Sequence, residues 1–392
     1  MLLFYYIYGI IYFCKLYYKG DDLRLYNVLD LFAGCGGLSS GFTSDLDFNI
    51  NLANDIWKPA KETYTFNHPD IPFILDDIKN LSSDILNNYF PDGIDVIIGG
   101  PPCQGFSMCG TRDIDDERNK LFYEYARIVD ITRPYLFIME NVKGLLSMKN
   151  RLGNLIIDVI EDVFNEIGYN IDYKVINSKY YGVPQSRERV IIVGTRKDMK
   201  NKFEYPKKNT NVISVGEALE GLTDISSVNG ECTINNYSSN YVKSLVKSKK
   251  IYNHEIPVHK KDVVNRMAYV PHGGNWRDIP EEHRVGGTHS NAYKRLDPKL
   301  PSVTIKHAYK SMIIHPWENR CLSVREVARL QSFNDDFIFK DSKTSQYQQL
   351  ANAVPPNLSK ALAISAKDFL DNIDKNNVVD KRKNFNEQIS FF

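Results

Sequence analysis

From residue 27 the chain alternates short apolar runs with stretches whose apolar residues recur every three or four positions. "YNVLDLFAG" and "FNINLAND" predict strands, and "LSSGFTSDL" and "IWKPAKETYTFNH" predict the helices that follow them. "IDVIIGG" and "PYLFIMEN" predict two more strands, on either side of the helix "RNKLFYEYARIVDIT". The amphipathic run "LGNLIIDVIEDVFNEIG" then leads into strands "YNIDYKVINS" and "RVIIVGT". Short apolar strands separated by helices predict a mostly parallel sheet covered on both faces, an α/β fold.

The rhythm stops near residue 197. From there to about 295 the chain is polar, with the lysine-rich "VKSLVKSKK" and the glycine pairs of "PHGGNWRDIPEEHRVGGTHS", which predicts a second, smaller, irregular domain. Regular patterning returns with "PSVTIKH" and the helices "SVREVARLQSF" and "NLSKALAISAKDFLDNI". The expected organisation is an apolar extension over 1–26, a first domain over 27–196 and the irregular domain over 197–295. The first domain resumes over 296–372, and a charged tail fills 373–392. The opening "MLLFYYIYGIIYFCKLYY" is apolar enough for a membrane anchor, but Lys15 interrupts it, and a basic start and a small-residue cleavage site are both missing. A buried or appended element, or an over-extended start, is the expectation; an anchor is the alternative.

Composition narrows the class. The 392 residues suffice for one large or two ordinary domains, and 43% hydrophobic with 25% charged residues excludes disorder as the main state. A net charge of +1 means that any hold on phosphates must come from local basic patches. The six cysteines form no Cys-x-x-Cys pair and no zinc-like spacing. Neither a disulfide framework nor a metal is expected, and the protein is read as cytoplasmic.

"DLFAGCGGLSSGF" places Gly34, Gly36 and Gly37 between a strand and a helix, where glycine lets the backbone turn sharply and approach a ligand. Asp55, at the end of the next strand, is the right distance on to accept from a ribose's hydroxyls, and Asp77 and Ile78 follow as candidates for an adenine edge. Such a turn alone fits NAD, FAD and S-adenosylmethionine alike. The G-x-G-G spacing disfavours a dinucleotide and favours a nucleoside without pyrophosphate.

"GGPPCQGFS" ends a buried strand in a rigid turn that presents one thiol, Cys103. A structural cysteine needs no such mounting; a nucleophile needs an immobile, partly exposed loop with a fixed approach. In "QSRER", Arg187 and Arg189 alternate with Glu188, so an extended segment turns both arginines to one side.

"DLFAGCGG", "GGPPCQGFS", "MENVKGLL", "YGVPQSRERV", "SVREVARLQSF" and "QQLANAVPPNL", in that order over about 27–370, resemble the DNA cytosine-5 methyltransferases. The resemblance implies a Rossmann-like methyltransferase sheet that binds S-adenosylmethionine and releases S-adenosylhomocysteine without a metal. It assigns the nucleophile to Cys103, the acid at the base's nitrogen 3 to Glu140, a contact with the base or its phosphate to Arg189, and help in that pocket to Arg187. It implies Asn352 at the methionine end of the cofactor, and adds Phe32, Ile56 and Pro102 to the cofactor-binding set of Gly34, Gly36, Asp55, Asp77 and Ile78. The target cytosine must leave the duplex. The region of about 197–295 is implied to read the sequence, with Lys243, Lys247, Lys249, Lys250, Arg277 and Arg284 available to phosphates.

The sequence departs from the family in three places. Asp55 stands where a longer Glu is more usual, which predicts looser ribose binding; Asn334 replaces a usual proline and Ala351 a usual glycine. The chain's size suggests a monomeric methylase of a restriction–modification system, working on double-stranded DNA beside a cognate endonuclease and without a membrane. A cytosine-5 methyltransferase of tRNA is the first alternative, and a non-catalytic DNA-binding regulator of the same fold the second. The middle region weighs against the first, and intact Cys103, Glu140 and Arg189 against the second.

Overall fold

The computed structural model describes residues 25–44, 46–102, 117–150, 152–222, 231–234, 236–248, 250–285 and 291–373. Cys103, Lys249, the apolar start and all of the tail beyond residue 373 lie outside the described residues.

In the first half, strands β1 (Tyr26–Leu31), β2 (Phe48–Asp55), β3 (Phe73–Leu75), β4 (Val96–Gly99) and β5 (Leu136–Val142) carry the helices between them. Those helices are α1 (Gly37–Phe42), α2 (Lys58–Asn67), α3 (Ser83–Tyr89) and α4 (Glu117–Thr132). Helix α5 (Ile156–Glu166) precedes β6 (Tyr169–Asn177), and a short β7 (Gln185–Ser186) precedes β8 (Glu188–Arg196). Among the described residues the main sheet has the order β3-β2-β1-β4-β5-β8-β6. The first five strands are mutually parallel, while β8 runs antiparallel to both β5 and β6. The expected mostly parallel, doubly covered sheet therefore forms, with one reversed strand that the pattern of apolar runs does not reveal.

Period-two alternation divides the core. In β4, Ile97 packs with Phe122, Tyr125 and Phe164 of α4 and α5, while Val96 and Ile98 pack with Leu38 and Phe42 of α1 on the other face. That second face is completed from the far end of the chain by α11 (Pro356–Asp371), through Leu358, Leu362 and Phe369.

Before α11, the second half contributes α6 (Val215–Leu219), β9 (Cys232–Thr233), α7 (Asn240–Leu245), β10 (Lys250–Ile251), α8 (Lys261–Ala268), β11 (Ser302–Val303), α9 (Val324–Leu330) and α10 (Lys343–Asn352). "PSVTIKH" keeps only two residues of strand, because the chain beyond it folds into a turn closed by Ser311 N to His307 O and Ile313 N to Ala308 O. A separate core joins Val215, Leu219, Val242 and Leu245 to Val327, Leu330, Phe333 and Leu350.

Helix α9 is buried along its whole length, although it reads "VREVARL". Its charges tie loops together. The Arg325 guanidinium donates to the backbone oxygens of Tyr252, Asn334 and Phe337, and that of Arg329 donates to Asp335 and to the backbone of Ala218 and Glu220. Glu326 accepts from Arg320 at 2.8 Å through both carboxylate oxygens. Burial would raise the Glu326 carboxyl, but Arg320's hydrogen bonds and charge hold it down at about 2.

Candidate active site

The C-terminal ends of β1, β2, β4 and β5 open onto one cavity of about 630 Å³. This is where open α/β sheets bind ligands. One wall is the turn after β1. Phe32 has φ 55° and Gly34 φ 56°, and both line the cavity. A side chain at Gly34 would meet nothing within 4 Å, so the turn leaves open space there. Left-handed backbone at a non-glycine such as Phe32 is a strain that concentrates at binding sites.

Asp55 fastens this turn: one carboxylate oxygen accepts from Gly34 N at 2.9 Å and the other from Trp57 N at 2.8 Å. Burial raises its carboxyl above the ordinary range. Behind it, Asp30 is fully buried and accepts from Ser39 Oγ at 2.6 Å, while its second oxygen has no partner among the described residues. Burial raises the Asp30 carboxyl to about 7.

Ile56, Asp77 and Ile78 form the next part of the wall. Ile56 is 69% exposed, an unusual position for an isoleucine unless something covers it. Asp77 Oδ1 caps the following turn by accepting from Lys79 N at 3.0 Å. Asn54 holds this edge in place by donating to the backbone oxygens of Ile74 and Asp76 at 3.1 and 2.9 Å. Gly36 does not line the cavity. It has φ 92°, and an added Cβ would lie 2.9 Å from His68 Nε2, so this glycine serves the packing behind the turn.

At the other end stand Pro102, Glu140, Arg187 and Arg189. Glu140 lies two residues before the end of β5 and Arg189 is the second residue of β8, and antiparallel pairing of those strands brings them together. Arg189 Nε lies 2.8 Å from Glu140 Oε1. Glu188 points away to Lys143 at 3.0 Å, as the alternation predicts. Gly100 lies beside Glu140, where an added Cβ would make only an ordinary contact, 3.4 Å from Oε2. Asn141, whose role no motif reveals, donates to Pro101 O at 2.9 Å and so fixes the Pro101–Pro102 turn after β4.

Arg187 is buried, and its Nη2 donates to the backbone oxygens of Ala351 and Ala353 at 3.0 and 3.1 Å. Among the described residues its Nε and Nη1 find no partner. Burial and then the charge of Arg189 pull its guanidinium below its ordinary value. Asn352 lies between those two alanines, lines the cavity and accepts from Gln348 Nε2 at 2.9 Å. Ala351 sits inside helix α10, so this position asks nothing that only glycine could give. The segment closes onto the glycine turn: a Cβ on Gly37 would lie 2.2 Å from Val354 O, and Ser359 Oγ donates to Leu38 O at 2.5 Å. Among the described residues no group of three or more His, Cys, Asp or Glu side chains is placed to hold a metal, and no helix is long and apolar enough to cross a membrane.

In the irregular region Lys243, Lys247 and Lys250 are exposed. Arg277 and Arg284 flank the Trp276 ring, and Arg284 donates to the backbone oxygens of Ile279 and Arg277, so most of its donors serve the local fold.

The family model described as "C-5 cytosine-specific DNA methylase" matches residues 26–368. The chain belongs to that family. It is 37% identical over 380 residues to the Type II methyltransferase M.DdeI of Desulfomicrobium norvegicum, covering 89% of this chain and 90% of that one. To M1.HphI of Haemophilus parahaemolyticus it is 36% identical over 339 residues, covering 86% and 85%. The methylase also matches the crystal structure of a DNA modification methyltransferase encoded within an Escherichia coli prophage. That match has 28% identity, a TM-score of 0.73 and coverage of 88% of this chain and 99% of the other. The S. pombe Dnmt2 methyltransferase, 17% identical with a TM-score of 0.58 over 87% and 97%, shares the fold. The protein is thus a DNA cytosine-5 methyltransferase of the Rossmann-like class.

Proposed function

We propose that this methylase transfers a methyl group from S-adenosylmethionine to carbon 5 of a cytosine that has left the duplex and entered the cavity. The observation that carries the reading is the Glu140–Arg189 pair, 2.8 Å apart, at one end of the cavity whose other end is the Gly34 turn and Asp55. The cavity suits a nucleoside donor. Open space over Gly34 can take an unbranched ligand, the Asp55 oxygens keep lone pairs for hydroxyls, and exposed Ile56 offers an apolar rest for a flat base. When bound, S-adenosylmethionine supplies a methyl group on positively charged sulfur.

The chain's own residues prepare the base. Cys103 is assigned as the thiolate that adds to carbon 6, and the displaced π electrons enrich carbon 5 and the ring. Glu140 holds a proton at nitrogen 3 to offset that charge, and Arg189 orients Glu140 and faces the base. Once carbon 5 carries the methyl group, loss of its proton and then of the thiolate restores the ring. Phe32, Gly34, Asp55, Ile56, Asp77, Ile78, Pro102 and Asn352 are assigned to the donor.

The region 197–295 is assigned to target recognition, on a catalytic body of 27–196 and 296–372. Carrying over the relatives' name, we take the enzyme as the monomeric, intracellular modification partner of a restriction endonuclease acting on double-stranded DNA. The test is expression in a host without cytosine methylation, followed by bisulfite sequencing. 5-Methylcytosine at one sequence is expected; its absence from DNA, with methylated cytosine in tRNA alone, overturns the reading.

A further inference from the structure

Strand β1 carries a carboxyl that the proposed chemistry does not use. Asp30 stands two residues before Phe32, so its Cα lies within ~7 Å of a residue that lines the cavity. Ser39 Oγ of α1 donates to its Oδ2 at 2.6 Å, and Leu38, the neighbour of Ser39, also lines the cavity. With the Ser39 proton committed to Asp30, the Tyr64 hydroxyl of α2, 2.7 Å from Ser39 Oγ, must donate to Ser39. Two hydroxyls in file thus end on a carboxylate buried one layer behind the glycine turn.

Nothing in this packing needs a charge. An asparagine would accept from Ser39 without a carboxylate to desolvate, and a buried charge with one oxygen unpartnered is costly. Among the described residues no lysine, arginine or histidine pairs with Asp30. The titratable groups that face it are Asp55 from β2, Cys35 from the turn, Tyr64 from α2 and Tyr125 from α4. Burial pushes the Cys35 thiol up to about 12 and both phenols above their ordinary range. It also pushes His68, packed behind Gly36, down to about 4. At neutral pH only the carboxylates of this cluster carry charge. Burial, and to a smaller extent the charge of Asp55, hold the Asp30 carboxyl at about 7 against the Ser39 bond.

Donor and product differ by one charge: S-adenosylmethionine carries it on sulfur, and S-adenosylhomocysteine does not. A negative charge behind a dry wall attracts the first and is indifferent to the second. For charges ~10 Å apart at an effective dielectric of about 20, that attraction is worth roughly tenfold in affinity.

We infer that Asp30 is a specificity-determining residue, whose buried carboxylate makes the cavity prefer the sulfonium donor to its neutral product. It touches neither ligand and acts through the field behind the glycine turn. This inference rests on the proposed use of S-adenosylmethionine, and deepens it by naming what limits inhibition by the product. A cation near Asp30 favours its ionised form, so donor binding near pH 7 drives a proton from Asp30 to the buffer, whereas product binding drives none.

The full chain, without DNA, is titrated with each ligand by calorimetry from pH 6 to pH 8. Relative to Asp30→Asn, the wild-type ratio of donor to product affinity should rise about fivefold over that range and reach about tenfold. The ligands' own amino groups titrate alike in both proteins, so the difference between them belongs to Asp30. At pH 7, in two buffers of different ionisation enthalpy, the wild type should release about 0.4 proton more than Asp30→Asn on binding the donor, and no more on binding the product. A substitution that weakens both ligands in proportion at every pH would mean that Asp30 only shapes the turn, and overturns the inference; equal proton release does the same. If Asp30→Asn fails to fold or loses both ligands, Ser39→Ala keeps the acid and removes the bond that favours its carboxylate. The rise of the ratio should then move to higher pH, and a rise left in place overturns the inference. A wild type that binds neither ligand removes the donor from the cavity, and the proposed function with it.

Discussion

Arg187 Nη2 donates to the backbone oxygen of Ala351 at 3.0 Å, a bond from the residue that links β7 to β8 to the helix end that carries Asn352. A second bond, to Ala353 at 3.1 Å, makes this one guanidinium clasp both neighbours of Asn352. The clasp predicts that Arg187 acts as a positioning residue for the proposed donor side, where the family resemblance implies help in the base pocket. Hydrogen bonds to a charged group are worth about 1.5–3 kcal/mol, or roughly 10- to 100-fold in affinity. Arg187→Lys should weaken S-adenosylhomocysteine binding about tenfold or more without DNA, measured by calorimetry. Arg189→Lys should leave that affinity within about twofold and lower kcat. Equal effects of the two substitutions on cofactor affinity would show that the clasp does not shape the donor site.

Two glycines of the first turn should fail in different ways. At Gly37 an added methyl meets Val354 O at 2.2 Å, a backbone atom that cannot swing aside. Gly37→Ala should lower the melting temperature sharply, by the several degrees that about 1–3 kcal/mol of overpacking costs. At Gly34 nothing lies within 4 Å, and only the left-handed φ of 56° is charged against alanine, about 1–2 kcal/mol. Gly34→Ala should fold, but its methyl enters the cavity and should cost most of the affinity for S-adenosylmethionine. A Gly34→Ala protein that binds the donor as well as the wild type would remove the donor from that turn.

Two buried carboxyls should bend the stability curve in opposite directions. Asp30 is raised from 3.8 to about 7, so folding favours its protonated form. Its contribution is full below pH 3.8 and is lost as pH rises through about 7. Asp30→Asn, which keeps an acceptor for Ser39, should therefore melt higher than the wild type above pH 7, with the gain shrinking as pH falls towards 4. Glu326 is held at about 2 against 4.5, so its contribution is full above pH 4.5 and is lost as pH falls through about 2. Glu326→Gln should melt well below the wild type at pH 7, by the 3–5 kcal/mol typical of a broken buried pair, and the gap should narrow in acid. Melting curves from pH 3 to 8 test both; parallel curves for wild type and Asp30→Asn would contradict the first.

Local pattern made much of this legible. The alternation in "VIIG" assigns Val96 and Ile98 to one face and Ile97 to the other, and alternation in "RER" turns both arginines to the cavity. What stayed hidden depends on partners far along the chain. The reversal of β8 is set by its neighbours, and an antiparallel strand between apolar strands looks like any other. Helix α10 has only Tyr347 and Leu350 as large apolar residues facing inward, because polar Gln349 fills the buried position beside them and donates to Pro59 and Lys340. Arg325, Glu326 and Arg329 carry charges that the helix pattern of "SVREVARLQSF" does not explain, and each is buried on partners from other segments. The use of Asp55 to fasten Gly34 and Trp57 is likewise a fact of three-dimensional approach.

The central claim is methyl transfer to carbon 5 through a covalent bond between Cys103 and the base. A duplex carrying 5-fluorocytosine in the methylated sequence tests it most directly. Fluorine cannot leave carbon 5 as a cation, so the step that would free the thiolate is blocked once the methyl group is in place. With S-adenosylmethionine present, a complex that survives denaturation is expected, and mass spectrometry should find the nucleotide on Cys103 with fluorine retained and one methyl group added. Without it, little adduct should accumulate. An active enzyme that yields no adduct, or one joined to another residue, would contradict the account.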